Sequence, residues 1–339
     1  MPRLGLYLGR LPGFDKTGFD TGELIDCVRA ADECGYDSFW IPEVWEHEAF
    51  SILTQIAMRT RRIGLGTGVI NVFSRSPSLI AMSAATLDEI SGGRFRLGLG
   101  TSGAQVIQDF HGVPYSRPLT RLRETIEIVR MLIRGEQADF AGETFRLGRF
   151  KLGFKPVRDH IPIYVASLGR RALEQLGETA DGWLPVHWPL AKLGEGIGEI
   201  GRGAARAGRD VASIDIAPMV NCVVSEDAGR ARKAARLPLA YYIGGMGDYY
   251  HDMLSRLGFG NEADRIQQAW RTGRHKEAMR AVTDEMLDRI AICGPLEACR
   301  AALDEMPSRG ASLTIVPVPK EGTTAEKIKM IEALVAPCS

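Results

Sequence analysis

Short apolar runs alternate with longer stretches whose apolar residues recur every three or four positions, from one end of the chain to the other. Residues 4–8 form the first run. In 21–34, Leu24, Ile25, Val28 and Ala31 share one helical face, and Gly35 follows as a stop. The same pairing predicts strands at 38–42, 63–69 and 95–99, with helices at 49–60 and 78–90. A long helix follows at 117–134, with Leu122, Ile126, Val129, Leu132 and Ile133 as its apolar stripe. Residues 138–154 read as a small β excursion, after which strands at 161–166, 183–186 and 214–224 alternate with helices at 170–179 and 190–207. A mostly helical insertion at 228–289 precedes an eighth strand at 313–317 and a closing helix at 325–335.

Strands that alternate with helices imply a parallel sheet, and eight such units without a composition break imply a closed (β/α)8 TIM barrel with insertions. Residues 1–339 are expected to form one domain. Barrel chemistry sits at the C-terminal strand ends. The segments to inspect are therefore 42–45, 68–73, 100–105, 166–170 and 185–188.

Composition narrows the function classes. Lys plus Arg equals Asp plus Glu, at 42 each, so no basic excess suggests a nucleic-acid partner. Arg59, Arg61 and Arg62 read as a solvated helix end. The six cysteines are scattered, with no C-x-x-C pair, so neither a metal site nor a redox dithiol is signalled. The opening residues lack a leader pattern, and no apolar run approaches the roughly 20 residues that span a bilayer. A cytoplasmic protein without a membrane partner is expected.

Gly98, Gly100 and Gly103 formally match G-x-G-x-x-G after a strand. A dinucleotide fingerprint also needs a helix opening there and an acid about 20 residues on, and this chain offers neither. The loop is kept as a cofactor-facing one, because glycine lets a backbone approach a ligand closely. Gly66 and Gly68 in the third strand admit two accounts, tight barrel packing or close approach to a flat ligand. Glu43, Glu46, His47 and Glu48 are too local for a metal site, and at most one of these carboxylates is expected to be functional, the others solvated. No G-x-S-x-G elbow supports an esterase.

Trp40-Ile41-Pro42-Glu43-Val44-Trp45, Gly66-Thr67-Gly68-Val69 and Ser74-Arg75-Ser76-Pro77 resemble the bacterial luciferase-like superfamily. So does the run from Ala84 through Ser91-Gly92-Gly93-Arg94-Phe95 to Gly100. Within it, Gly100-Thr101-Ser102-Gly103-Ala104-Gln105 and the segment from Ile163 to Trp183 are similar to the coenzyme F420-dependent branch, which includes methylenetetrahydromethanopterin reductases. The resemblance implies a cis Gly68–Val69 peptide in a bulge behind the cofactor ring, with Asn71 near the ring edge. It implies that Thr101, Ser102, Gly103 and Gln105 line the cofactor side chain. Ala166, Ser167, Leu168, Gly169 and Arg170 would bind its phosphate at the start of a helix.

Glu43 is the expected catalytic-site carboxylate, close to a cofactor hydroxyl. Deazaflavin-dependent sugar-phosphate dehydrogenases follow this acid with a histidine, but Val44 stands here and cannot take a proton. Hydride delivery from reduced coenzyme F420 to an activated C=C or C=N of a small organic acceptor is the better expectation. The alternatives are an FMN-dependent luciferase-like monooxygenase and a non-catalytic flavin-binding protein. A homo-oligomer, in the simplest case a dimer, is expected. The substrate pocket is expected from loop 10–19, the His187 region and the insertion.

Overall fold

Apolar runs this short bury themselves best as neighbouring parallel strands wrapped by helices, and the computed structural model has that arrangement. It describes residues 2–11, 14 and 20–336. The barrel strands are Leu4–Tyr7 (β1), Ser38–Ile41 (β2), Gly64–Thr67 (β3) and Phe95–Gly100 (β4), followed by Ile163–Val165 (β5), Gly182–Trp183 (β6), Asp215–Ile216 (β7) and Thr314–Pro317 (β8). From β1 to β7 each pairs in parallel with the next in chain order, and β8 pairs with β1 through Leu4↔Thr314 to Tyr7↔Pro317. Met219, just past β7, bridges both Val186 and Ile315, and the Val220 N–H donates to the Ile315 carbonyl at 2.8 Å. These contacts close the (β/α)8 barrel.

The helices at Thr21–Cys34 and Arg170–Thr179 have the predicted bounds. The excursion is an antiparallel hairpin of Ala138–Ala141 and Arg146–Phe150. One expectation is corrected. The strand predicted at 214–224 is split: Pro218 has no N–H to continue a ladder, and beyond it Asn221–Val224 pairs outside the barrel with Ala291–Gly294. That partner strand, and the helix Leu296–Asp304 after it, carried no sequence expectation of their own. The insertion before them is helical, beginning with Ala228–Gly245 and ending with Asp284–Ile290. No helix of the described residues is long and apolar enough to cross a membrane.

The lumen is filled by Trp40, Tyr164, Leu184, Ala217, Met219, Leu313 and Ile315. Trp40 is fully buried, packs edge-on against Tyr164 at 4.9 Å, and donates its indole N–H to the Ser38 hydroxyl at 2.9 Å. This packing explains β3. A Cβ on Gly66 would lie 2.1 Å from the Trp40 ring, and one on Gly68 would lie 2.6 Å from the Met219 methyl. Both glycines make room for lumen side chains, which decides between the two accounts left open by the sequence.

At the N-terminal face, carboxylates tie the loops that enter the strands. Asp32 accepts backbone N–H bonds from Arg61, Arg62 and Ile63 at 2.8, 2.9 and 2.6 Å, just ahead of β3. Asp88 accepts from Phe95 and pairs with Arg158, and Asp181 accepts from Ile163 and pairs with Arg130. The side chains of Arg61 and Arg62 are exposed as expected, but their backbone N–H groups are held by Asp32. Burial alone would raise the Asp32 carboxyl. The three N–H donors and Arg62 outweigh it and hold the group below the ordinary carboxylate range.

Asp32→Asn tests this anchor. An amide cannot accept all three N–H donors, because its NH2 faces one of them. We expect a loss of about 1–3 kcal/mol in urea denaturation at pH 7. A lowered folded-state pKa means that the wild-type contribution is complete above the unfolded value, about pH 4, and disappears as pH falls through the folded value. The gap between wild type and variant should therefore narrow in acid. A constant gap across that range assigns Asp32 no ionic role.

Candidate active site

The C-terminal ends of β1 to β8 form one mouth. Tyr7, Val69, Ala166 and Val186 are half-buried there and pack on the lumen cluster. The Gly68–Val69 peptide is cis, as the resemblance implied. It lies where β3 ends, and the chain then resumes pairing as Ile70–Asn71 against Leu99 and Gly100 of β4. The Gly68 N–H donates to Ile41 O at 2.7 Å, and Val69 O accepts from the Glu43 N–H at 3.2 Å. Strands β2, β3 and β4 thus fix Val69 at the base of the mouth.

The glycines of the G-x-G-x-x-G match serve this junction. A Cβ on Gly98 would lie 1.8 Å from the Thr67 carbonyl, and one on Gly100 would lie 2.8 Å from Val69 Cγ2. Thr67 Oγ1 bonds both Gly98 O and Gly98 N at 2.8 Å. The first two glycines therefore pack strand on strand, and only Gly103 faces open space, with Met246 O at 3.6 Å. One turn of π-helix, Val106–Phe110, follows this loop, so a helical segment begins earlier than the sequence suggested. Gly103, Gln105 and Asp109 line a cavity of about 570 Å³, with Trp45 and the Met246–Tyr249 stretch of the insertion opposite. Ser102 has a left-handed φ of 56°, and its carbonyl accepts from Tyr115, whose hydroxyl also bonds Tyr249 at 2.7 Å. Thr101 and Ser102 are not among the residues that line this cavity. Most of loop 10–19, expected as a pocket wall, lies outside the described residues. Its Phe14 packs on Tyr241 and Trp270 of the insertion at 5.6 and 5.2 Å.

Glu43, the expected catalytic-site carboxylate, follows β2 with both oxygens engaged. Its carboxylate is paired with the Arg75 guanidinium, by Oε2 at 2.9 Å and by Oε1 as well. Oε2 also accepts the Ala49 N–H at 2.9 Å, at the start of helix Ala49–Ala57. Both oxygens are engaged, and the side chain is only 11 % exposed. Glu48 is not merely solvated either: it caps the same helix through Phe50 and Ser51 and bonds Arg75 at 2.7 Å. Glu46 pairs with Arg10 at 3.3 Å. Asn71 is buried and holds the following turn, accepting from Phe73 and Ser74 at 3.0 and 2.7 Å, while its amide nitrogen meets His111 at 3.3 Å.

Loop 166–170 ends β5 and opens the helix Arg170–Thr179. Gly169 is the N-cap residue, and no side chain caps the helix. A Cβ on Gly169 would meet nothing within 4 Å. Ser167 O accepts the Trp183 indole N–H at 2.9 Å, so the loop is anchored from behind. Arg256, from the insertion, donates to Leu168 O at 2.7 Å and lies over the Trp188 ring. Burial, and then the nearby Arg170 charge, push the Arg256 guanidinium below its ordinary value. Arg170 itself reaches Glu199 at 3.6 Å. An uncapped helix start beside two cations fits a phosphate. Arg256 was invisible to sequence reasoning because it stands 88 residues from the loop it touches. Arg75 was visible only as part of a motif without a role. Among the described residues no group of His, Cys, Asp and Glu could hold a metal ion.

Comparison with known proteins agrees with the fold. A family model described as luciferase-like monooxygenase matches residues 2–313. A Mycobacterium tuberculosis protein assigned by name to the coenzyme F420-dependent oxidoreductases is 32 % identical over 91 % of this chain and 93 % of its own. The 5,10-methylenetetrahydromethanopterin reductase of Methanolobus tindarius is 33 % identical over 90 % of this chain and 92 % of its own. The solved coenzyme F420-dependent tetrahydromethanopterin reductase of Methanopyrus kandleri superposes with a TM-score of 0.82 at 24 % identity, covering 98 % of this chain and 97 % of that one.

The Glu43–Arg75 pair yields a test of what Glu43 does. Glu43→Gln should lower stability by about 1–3 kcal/mol, since it weakens a charge-assisted pair and the Ala49 bond. Arg75→Met should cost more, about 3–5 kcal/mol, because it strands a mostly buried carboxylate. Urea denaturation of both variants reads this order. Wild-type stability in Glu43→Gln would remove the structural role.

Proposed function

The chain belongs to the luciferase-like monooxygenase family, and from that premise we propose that it transfers a hydride between reduced coenzyme F420 and a small organic acceptor. The observation that carries this reading is loop 166–170, an uncapped helix start with open space at Gly169 and the Arg170 and Arg256 guanidinium groups beside it. Relatives sharing about a third of their residues with this chain support it by name, one through coenzyme F420 and one through a methylene-carrying pterin.

In this reading the backbone N–H groups that open helix Arg170–Thr179 hold the cofactor phosphate, with Arg256 adding charge. Val69 and Ala166 support its ring, and Gly103 and Gln105 border the cavity for its tail. A bound deazaflavin supplies two-electron hydride chemistry and reacts poorly with oxygen. The protein supplies position and a dry wall. Glu43 acts as a positioning residue, because it holds Arg75 and the start of helix Ala49–Ala57 next to the mouth. Val44 leaves no proton acceptor beside it, which favours an acceptor that takes a hydride at an activated C=C or C=N.

Titration with both cofactors is the test. Coenzyme F420 should bind at least roughly tenfold more tightly than FMN, a difference of about 1.4 kcal/mol. Arg256→Met should weaken F420 binding by a similar factor. Equal affinity for the two, or preference for FMN with oxygen consumption during turnover, moves the function to an FMN-dependent monooxygenase.

A further inference from the structure

Beyond the cofactor residues, the barrel mouth carries four hydrogen-bonding aromatic side chains, three of them in the His187 region and the insertion that the sequence assigned to a substrate pocket. His187 follows β6 with a left-handed φ of 54° and is 4 % exposed. Neither ring nitrogen has a hydrogen-bond partner among the described residues. Its ring packs edge-on against Tyr242 at 4.7 Å and lies 6.2 Å from Tyr250, and those two tyrosines meet at 4.8 Å. Tyr242 and Tyr250 come from the insertion, and Tyr7 ends β1 on the same lumen layer as Val69. Tyr7, Tyr242 and Tyr250 are half-buried, and their hydroxyls, unlike the His187 nitrogens, are not among the fully buried polar atoms.

Such a cluster is costly as it stands. A buried nitrogen without a partner has given up its hydrogen bonds to water and gained none in return. Burial holds the His187 imidazole neutral, pushed down to about 3, and pushes the Tyr242 hydroxyl up to about 12. All four groups therefore stay uncharged at neutral pH, and each can both donate and accept. The charged side chains of the β2 end are spent on each other, Glu43 and Glu48 on Arg75 and Glu46 on Arg10.

We propose that Tyr7, His187, Tyr242 and Tyr250 form the subsite for the hydride acceptor, and that it selects a flat, uncharged molecule bearing hydrogen-bonding groups. The proposal rests on the reading of this mouth as a hydride-transfer site and names the class of acceptor. Aromatic walls suit a flat ring, and orphaned donors and acceptors suit its polar edge. An anionic acceptor gains no counter-charge from these four groups and loses its hydration.

A matched pair of probes tests it on the full chain without added cofactor, so that the result is independent of which cofactor binds. Coumarin is flat and neutral, and coumarin-3-carboxylate adds one negative charge to the same ring. Coumarin should shift the His187 ring signals in 15N-histidine NMR spectra and bind at least tenfold more tightly than the carboxylate. His187→Phe and Tyr242→Phe should each weaken coumarin by fivefold or more, and leave F420 affinity within twofold of wild type. Should His187→Phe fail to fold, Tyr242→Phe decides, since it keeps the ring contact and removes only the hydroxyl. Equal binding of the two probes, unmoved His187 signals, or wild-type coumarin affinity in Tyr242→Phe overturns the proposal. Failure of F420 to bind while coumarin behaves as expected overturns only the cofactor reading.

Discussion

A single indole in the barrel lumen sets the terms for everything above it. Trp40 fills space that three neighbouring strands would otherwise claim, so the facing position on β3 must be glycine. Close packing leaves no slack, and a Cβ at Gly66 would need the ring to move. Gly98 and Gly100 extend the same logic to β4, where they clear space for Thr67 and Val69. The glycine-rich look of these strand ends is thus a packing requirement that happens to expose Val69 at the mouth. A ligand resting there would touch a surface whose position is fixed from below by Trp40 and Met219.

The two ends of the barrel use polar groups in opposite ways. At the N-terminal face, Asp32, Asp88 and Asp181 accept from backbone N–H groups, and Asp88 and Asp181 also pair with Arg158 and Arg130. At the C-terminal face, ion pairs anchor the rim through Arg75, while the interior keeps neutral groups without partners. A helix start without a cap lies beside them. Carboxylate anchors are concentrated at one face and the unpartnered His187 ring lies at the other, as expected when barrel function resides at the strand C-termini. The unmet capacity is what distinguishes a site from a core.

The sequence by itself determined the architecture, because side-chain periodicity reports directly on which face of each element is buried. Alternating runs located all eight strands and the closing helix, and helix Thr21–Cys34 ended at Gly35, which adopts the left-handed conformation expected of a stop. Motif matching located the Gly68–Val69 junction and loop 166–170, since both are contiguous stretches. What only the tertiary structure decided are relations between distant residues. Gly66 could not be told from a ligand-facing glycine until Trp40 was seen against it. Glu43 read as a catalytic-site carboxylate, and only the structure puts Arg75 and the Ala49 N–H on its oxygens. Arg256 at loop 166–170, and His187 among tyrosines from β1 and the insertion, have no local signature. Periodicity is a property of neighbours along the chain, whereas hydrogen-bond satisfaction depends on every group within about 3 Å, wherever in the chain it originates.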